Sequence, residues 1–347
     1  MHRATRNARK FVLPIFLVLT IGMNLVALAD TDVLISSAVS IRYSTQAGKF
    51  YQVQVKNGDH WDNVGVAVEG TGEPVEKLYP AGEYRVTTPS QKYVMVWADE
   101  FDGEDLDYQK WAKEENNYGG GNFERQAYRT DSKYCTVKDG VLKISVYRDA
   151  HTTSDGKTQP YSSARIRSRK RGDWQYGRFE IRAKMPSGQG IWPAVWMLPT
   201  ESKYGGWASG GEIDIIESRG SAVQETTGAL HFGGGWPRNT YLAHAYPFPE
   251  KDAAEDFHVY ALEWTSESIK WFVDGKLCQT RNRDEWFSEA DRSNPSAPFD
   301  QPFHMILNVA VDGRFFEKTD QQADQLPPDV FPQSLEVDYI RVYQWAE

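Results

Sequence analysis

From about residue 94 to residue 347, apolar and polar positions alternate in short runs, and hardly one stretch carries a helical repeat. Residues 141–146, 178–184, 192–198, 259–264, 269–273, 303–311 and 335–343 are rich in β-branched or aromatic side chains and bounded by turn formers, so each reads as a strand. Side chains of a strand alternate faces, and the strict alternation of Arg178-Phe179-Glu180-Ile181-Arg182-Ala183-Lys184 predicts one buried face and one wet one. Asp274-Gly275 between two such runs predicts a hairpin, because a two-residue turn takes positive φ at both central positions. Strand following strand without a βα alternation predicts an all-β fold of two packed sheets, a sandwich or jelly roll.

Residues 31–90 have a different texture and predict a separate small all-β module with a linker. Phe50-Tyr51-Gln52-Val53-Gln54-Val55 alternates, Asn57-Gly58 is a turn signal, and Pro80-Ala81-Gly82 and Thr87-Thr88-Pro89-Ser90 lead out of the module. Its Trp61 reads more readily as core than as a platform for carbohydrate. Residues 94–347 then form the larger domain.

The densest chemistry lies in Gly211-Glu212-Ile213-Asp214-Ile215-Ile216-Glu217-Ser218. On a regular strand Glu212 and Asp214 share a face and Glu217 points the other way. A β-bulge at Ile215 or Ile216 places two residues opposite one and returns Glu217 to the face of the other two. Four ladder steps then separate the outer Cα atoms by about 13 Å, and side chains leaning inward leave the two Glu carboxyls roughly 6 Å apart. Enzymes that cleave glycosides with retention hold their paired carboxyls about 5 to 5.5 Å apart. Like charges crowded on one strand face repel, so an ordinary solvated strand is the poorer reading of three aligned acids.

The aromatic residues fall around these acids. Trp192 and Trp196 share a face of the preceding strand, and Trp236 follows the acids in Leu230-His231-Phe232-Gly233-Gly234-Gly235-Trp236. Sugars present flat C–H faces that stack on indole rings, which suits a polysaccharide cleft. A net charge of −9 excludes a nucleic-acid partner, which needs clustered Lys and Arg, and argues against a heavily sulfated substrate. No HExxH, EF-hand or P-loop motif occurs, so neither a catalytic metal nor a nucleotide is expected.

Residues 1–29 read as a secretory signal: Arg3, Arg6, Arg9 and Lys10 precede an apolar run, and Ala27-Leu28-Ala29 supplies the cleavage site. Pro14, Gly22 and Asn24 interrupt the run, which favours cleavage over a retained anchor. The expectation is a secreted, cell-surface or periplasmic monomer with no membrane attachment after cleavage. Cys135 and Cys278 either pair in that compartment or remain two small buried side chains.

Taken together, Trp192-Pro193-Ala194-Val195-Trp196-Met197-Leu198-Pro199, the Glu212–Glu217 motif and His231-Phe232-Gly233-Gly234 resemble glycoside hydrolase family 16, most closely its laminarinase-type endo-β-1,3-glucanases. The similarity runs from Asp99-Glu100-Phe101-Asp102, through Asn122-Phe123-Glu124-Arg125-Gln126-Ala127-Tyr128 and Ser163-Ala164-Arg165, to Val337-Asp338-Tyr339-Ile340-Arg341-Val342-Tyr343. The resemblance implies a concanavalin-like jelly roll with a groove, Glu212 as nucleophile, Asp214 as its assistant and Glu217 as acid/base. It places Asn122, Arg165 and His231 toward the sugar. It also implies a structural calcium held by the Asp338 carboxylate with backbone oxygens near Glu100 and Gly140. The partner is a polysaccharide. Other family substrates (agar, carrageenan, mixed-linkage glucan), transglycosylation, or a catalytically dead glycan-binding protein are the alternatives.

Overall fold

The computed structural model describes residues 18–22 and 38–346, apart from residues 48, 59, 66, 89–91, 154–155, 249–251, 317–321 and 326–329. The chain divides into two compact units between Lys92 and Tyr93, at the start of the Lys92–Asp99 strand.

The first unit is all-β. Val18–Gly22, Ala38–Tyr43 and Val75–Pro80 form one small sheet; His60–Asn63, Phe50–Asn57, Val68–Glu69 and Tyr84–Thr87 form the other. Of the leader only Val18–Gly22 is described, pairing antiparallel with Ala38–Tyr43; the remainder of residues 1–29, the cleavage site included, lies outside the described residues. Asn57 lies opposite His60 at the expected hairpin, where Gly58 takes the positive φ the turn requires. Val39, Ile41, Tyr43, Tyr51, Val53 and Tyr84 make the core. Trp61 does not join it. The indole is half-buried beneath the Arg85 guanidinium, 4.5 Å from the ring, because it sits on the short hairpin strand rather than on an alternating run.

The second unit is two eight-stranded sheets, as expected of a jelly roll. The sheet carrying the acids comprises β1 (Arg165–Arg167), β2 (Ile191–Pro199), β3 (Glu212–Glu217), β4 (Glu225–Gly233), β5 (Asn239–Pro247) and β6 (Phe303–Val311), with Ala112–Lys113 and Asp173–Trp174. Its order is β5-β4-β3-β2-β6-β1, so β3 lies near the middle, flanked by β2 and β4. The second sheet runs Cys135–Lys138, Val141–Val146, Gln333–Ala346, Gly177–Lys184, His258–Trp264, Ser268–Val273 and Lys276–Asn282, with Lys92–Asp99 paired to Gln333–Ala346. Val195, Met197, Ile213, Leu230, Leu307 and Val309 from one sheet meet Phe179, Ile181, Leu262, Trp264 and Ile340 from the other in a single core. Each such side chain contributes roughly 1.5 to 3 kcal/mol on burial. Asp274-Gly275 turns as expected, with φ of 50° and 77° and Val273 opposite Lys276.

The wet face expected for residues 178–184 is not wet at its start. Arg178 is buried, paired with Glu180 and Glu263 at 2.8 Å each, beside the ring of Phe272. A period-two pattern marks two chemically different faces but does not report that a charged face is covered and internally paired.

Cys135 and Cys278 are both free thiols. They sit on the two end strands of the second sheet, six inter-strand steps apart. At about 4.8 Å per step that is roughly 29 Å, far beyond the ~7 Å Cα separation a disulfide can bridge.

Candidate active site

The bulge is present in β3, at the expected place. Against β2, Asp214 lies opposite Trp196 and Ile216 opposite Val195, so Ile215 is the extra residue. Against β4, Asp214 pairs with Ala229 and Glu217 with Thr227, leaving Gly228 alone across from Ile215-Ile216. Ile213, Ile215 and Ile216 are all buried in the core, which anchors the irregularity from below. Glu212, Asp214 and Glu217 consequently share the opposite face.

Each outer carboxylate is held by one indole. Trp207 Nε1–H donates to Glu212 Oε2 at 3.0 Å, and Trp192 Nε1–H donates to Glu217 Oε1 at 3.0 Å. His231, directly across the ladder from Glu212, brings Nε2 to 3.7 Å from Glu212 Oε1 and 3.4 Å from Asp214 Oδ2. Asp214 is only 3% exposed, and its Oδ2 accepts no hydrogen bond from any described residue. All three carboxyls are raised to about 8, first of all by burial; the neighbouring Asp214 also raises Glu212 and Glu217, while His231 and the indole donors pull those two down. Three acids in one dry patch cannot all ionise at neutral pH. Glu212, which accepts the Trp207 indole N–H and is pulled down by His231, is the best placed to carry charge. Asp214, with no donor on Oδ2, is the best placed to keep a proton.

Around the acids the aromatic residues divide into supports and exposed faces. Trp192 lies flat on Phe315, ring centroids 4.5 Å apart and 13° from parallel. Trp196 donates Nε1–H to Asn308 Oδ1 at 2.8 Å and has the Arg165 guanidinium 4.8 Å over its ring. Arg165 is itself buried in an ion pair with Glu114 at 2.9 Å, so it braces Trp196. Trp236 stands 67% exposed, with Arg314 reaching its ring at 5.5 Å and that of Phe123 at 4.6 Å. Asn122 contacts Glu124 at 3.4 Å through Nδ2, and its carbonyl accepts from Arg314 N–H at 2.9 Å. It therefore supports the loop that presents Phe123, whose positive φ of 62° is uncommon for a bulky residue and turns its ring to solvent.

The sequence reading passed over Trp207, which at 43% exposure contacts both Glu212 and, ring to ring at 5.8 Å, His231. The signal was there: Ser209-Gly210-Gly211 folds the chain back sharply between Trp207 and Glu212. Tyr241, Phe123 and Arg314 were also missed; they come from other strands and loops and carry no local signature.

Among the described residues, the one His/Asp/Glu group with ligand atoms within 4.8 Å of one another is Glu212, Asp214 and His231, which is the acid site itself. At the calcium position implied by the resemblance, both carboxylates already have cationic partners. Asp338 Oδ2 accepts from Arg182 Nη1 at 2.7 Å, and the Glu100 carboxylate is gripped by Arg341 through two hydrogen bonds of 2.7 Å. A cation there, which takes about six to eight oxygens, would share Asp338 with the Arg182 guanidinium.

A two-sheet β sandwich that sets paired, desolvated carboxyls among exposed aromatic rings defines a glycoside hydrolase. The profile of glycosyl hydrolases family 16 matches residues 123–325, and the chain belongs to that family. It is 42% identical over 258 residues to a beta-glucanase of Rhodothermus marinus, covering 73% of this chain and 86% of that one. It is 40% identical over 261 residues, 72% of its length, to glucan endo-1,3-beta-glucosidase A1 of Niallia circulans, of which it spans only 38%. The solved laminarinase of Rhodothermus marinus superposes with a TM-score of 0.63 at 39% identity, over 75% of this chain and all of that one. Within the family, the chain is of the laminarinase type.

Proposed function

We propose that the protein is a secreted endo-β-1,3-glucanase acting with retention of configuration. The observation that carries the mechanism is the Ile215 bulge, which puts Glu217 on the face of Glu212 and Asp214. The β-1,3 linkage is supported by the similarity to proteins named as endo-1,3-beta-glucosidase and laminarinase. The signal-like residues 1–29 support secretion.

In this reading Glu212, ionised, attacks the anomeric carbon while Glu217, protonated, gives its proton to the departing glycosidic oxygen. Protonated Asp214 shares its proton with Glu212, stabilising the carboxylate in the free enzyme and the leaving carboxylate when water attacks. Glu217, now ionised, deprotonates that water. Each indole N–H occupies one oxygen of its carboxyl and leaves the other for the reaction. Trp207, Trp236 and Tyr241 offer ring faces to sugars on either side of the scissile bond.

Two indole donors give a matched pair of pH effects. A donor to a carboxylate favours its charged form, so removing the donor raises the pKa. Trp192→Phe is expected to shift the alkaline limb of kcat/KM upward through Glu217, and Trp207→Phe to shift the acid limb upward through Glu212. A pH–rate profile of each variant checks this; limbs that stay put in both contradict the assignment of roles.

The functional reading is tested by assaying laminarin, lichenan, agarose and carrageenan side by side for new reducing ends, and following the first-formed anomer by NMR. The expected result is internal cleavage of laminarin with a β product. Preferential release from agarose or carrageenan overturns the substrate, an α product overturns retention, and binding without cleavage favours a glycan-binding protein.

A further inference from the structure

The mechanism depends on a bulge, and a bulge interrupts the ladder that would otherwise hold its carbonyls. In β3 and β4 the carbonyls beside the interruption are bonded from the other sheet. Trp271 Nε1–H, reaching through the core from Ser268–Val273, donates to Asp214 O at 2.8 Å, and Gln279 Nε2–H, from Lys276–Asn282, donates to Gly228 O at 3.0 Å. The donors are register partners, Trp271 directly opposite Gln279. Their own strand pair carries an extra residue, Cys278, because Phe272 pairs with Leu277. Both donors are buried, Trp271 to 4% exposure. Gly228, the single residue across from Ile215-Ile216, leaves the room they need: a Cβ there would stand 2.4 Å from Trp271 Cδ1 and 2.6 Å from its Nε1.

We propose that Trp271 and Gln279 are positioning residues, a two-donor clamp from the second sheet that fixes the β3 bulge and thereby the placement of Glu217 relative to Glu212. The proposal rests on the reading of Glu217 as the proton donor. The clamp touches neither substrate nor the reacting atoms. It acts through the Asp214 carbonyl on one side of the bulge and the Gly228 carbonyl opposite it, so that the peptide leading to Glu217 has one path. Without it, Ile215 and Ile216 are free to exchange the role of extra residue, and each exchange leaves Glu217 on the acid face but shifts the backbone that carries it relative to Glu212.

The test uses the full chain and two variants that keep the shape of the side chain while deleting the donor, Trp271→Phe and Gln279→Leu. Misplacing a reacting group by about 1 Å costs on the order of 10²-fold, and that loss is expected in kcat on laminarin with KM almost unchanged. A laminari-oligosaccharide with a dinitrophenol leaving group needs no proton to depart, so its burst phase, which depends on Glu212 and not on Glu217, is expected to be as fast in the variants as in the native enzyme. Hydrogen exchange at the amides of residues 214–217 is expected to rise by at least about tenfold while the His258–Trp264 strand stays protected. Parallel loss of glucan hydrolysis and aryl burst, or unchanged exchange at 214–217, overturns the clamp. A native enzyme inert on every glucan sinks the functional reading instead, and the exchange measurement then decides the clamp alone.

Discussion

Glu212→Ala is expected to lower turnover on β-1,3-glucan by several orders of magnitude while the protein stays folded, and Glu217→Ala to lower it by roughly the 10²–10⁴-fold typical of a lost proton donor or acceptor. The physical ground is the division of labour in the buried acid patch. Removing Glu212 removes the atom that forms the new bond, whereas removing Glu217 leaves that atom in place and withdraws the proton. The two losses differ in what restores them. Azide, small enough to enter the space left by either side chain, is expected to rescue the variants on an activated aryl glycoside. In Glu212→Ala it attacks the sugar directly and gives an α-azide; in Glu217→Ala it attacks the glycosyl-enzyme and gives a β-azide. NMR of the azide product checks the assignment, and substantial glucan hydrolysis by a purified Glu212→Ala protein sinks it. Circular dichroism guards against misfolding, which is not expected, because neither side chain belongs to the interior core.

The second large effect concerns stability. Asp214 is 3% exposed and burial holds its carboxyl up at about 8, whereas an unfolded Asp ionises near about 3.9. Between those values the folded protein keeps a proton that the unfolded chain has lost, so each rise in pH favours unfolding. The contribution of Asp214 is therefore fully present below about pH 4 and declines as pH rises toward 8. Asp214→Asn preserves the shape and abolishes the titration. It also relieves Glu212 and Glu217, both of which Asp214 pushes up. The Tm of this variant is expected to match the native value near about pH 4 and to exceed it by a margin that widens toward about pH 8. Turnover is expected to fall at least about 10²-fold, because the proton shared with Glu212 is gone. Calorimetry across that pH range is the check, and a variant whose Tm tracks the native enzyme at every pH refutes the buried-proton account. A site that stores destabilisation of this kind fits the common exchange of stability for activity.

How much of this was legible beforehand depends on how local each signal is. The strands over 141–146 and 303–311 appear with the expected bounds, and the remaining runs extend by one to three residues at an end. The bulge was legible because its cause is arithmetic: three acids on one face at this spacing require one extra residue. Trp192 was legible as an aromatic beside the acids, but not as the hydrogen-bond donor to Glu217, since β2 is distant in sequence and adjacent only through the sheet. Arg165 was legible as a site residue by resemblance, but its burial against Glu114 and Trp196 comes from packing. The covered face at Arg178 was misread because alternation reports which side chains differ in polarity, and what lies on top of them is decided elsewhere in the chain.

The sequence by itself determined the all-β class, the three acids and their need for a bulge, because period-two patterning, turn chemistry and the spacing of charges act between neighbours along the chain. Only the tertiary structure decided which indole holds which carboxylate, that the two cysteines lie at opposite ends of one sheet, and that Trp271 and Gln279 reach through the core to the carbonyls flanking the bulge. Those contacts join residues tens of positions apart, and their geometry exists only once both sheets have formed and packed.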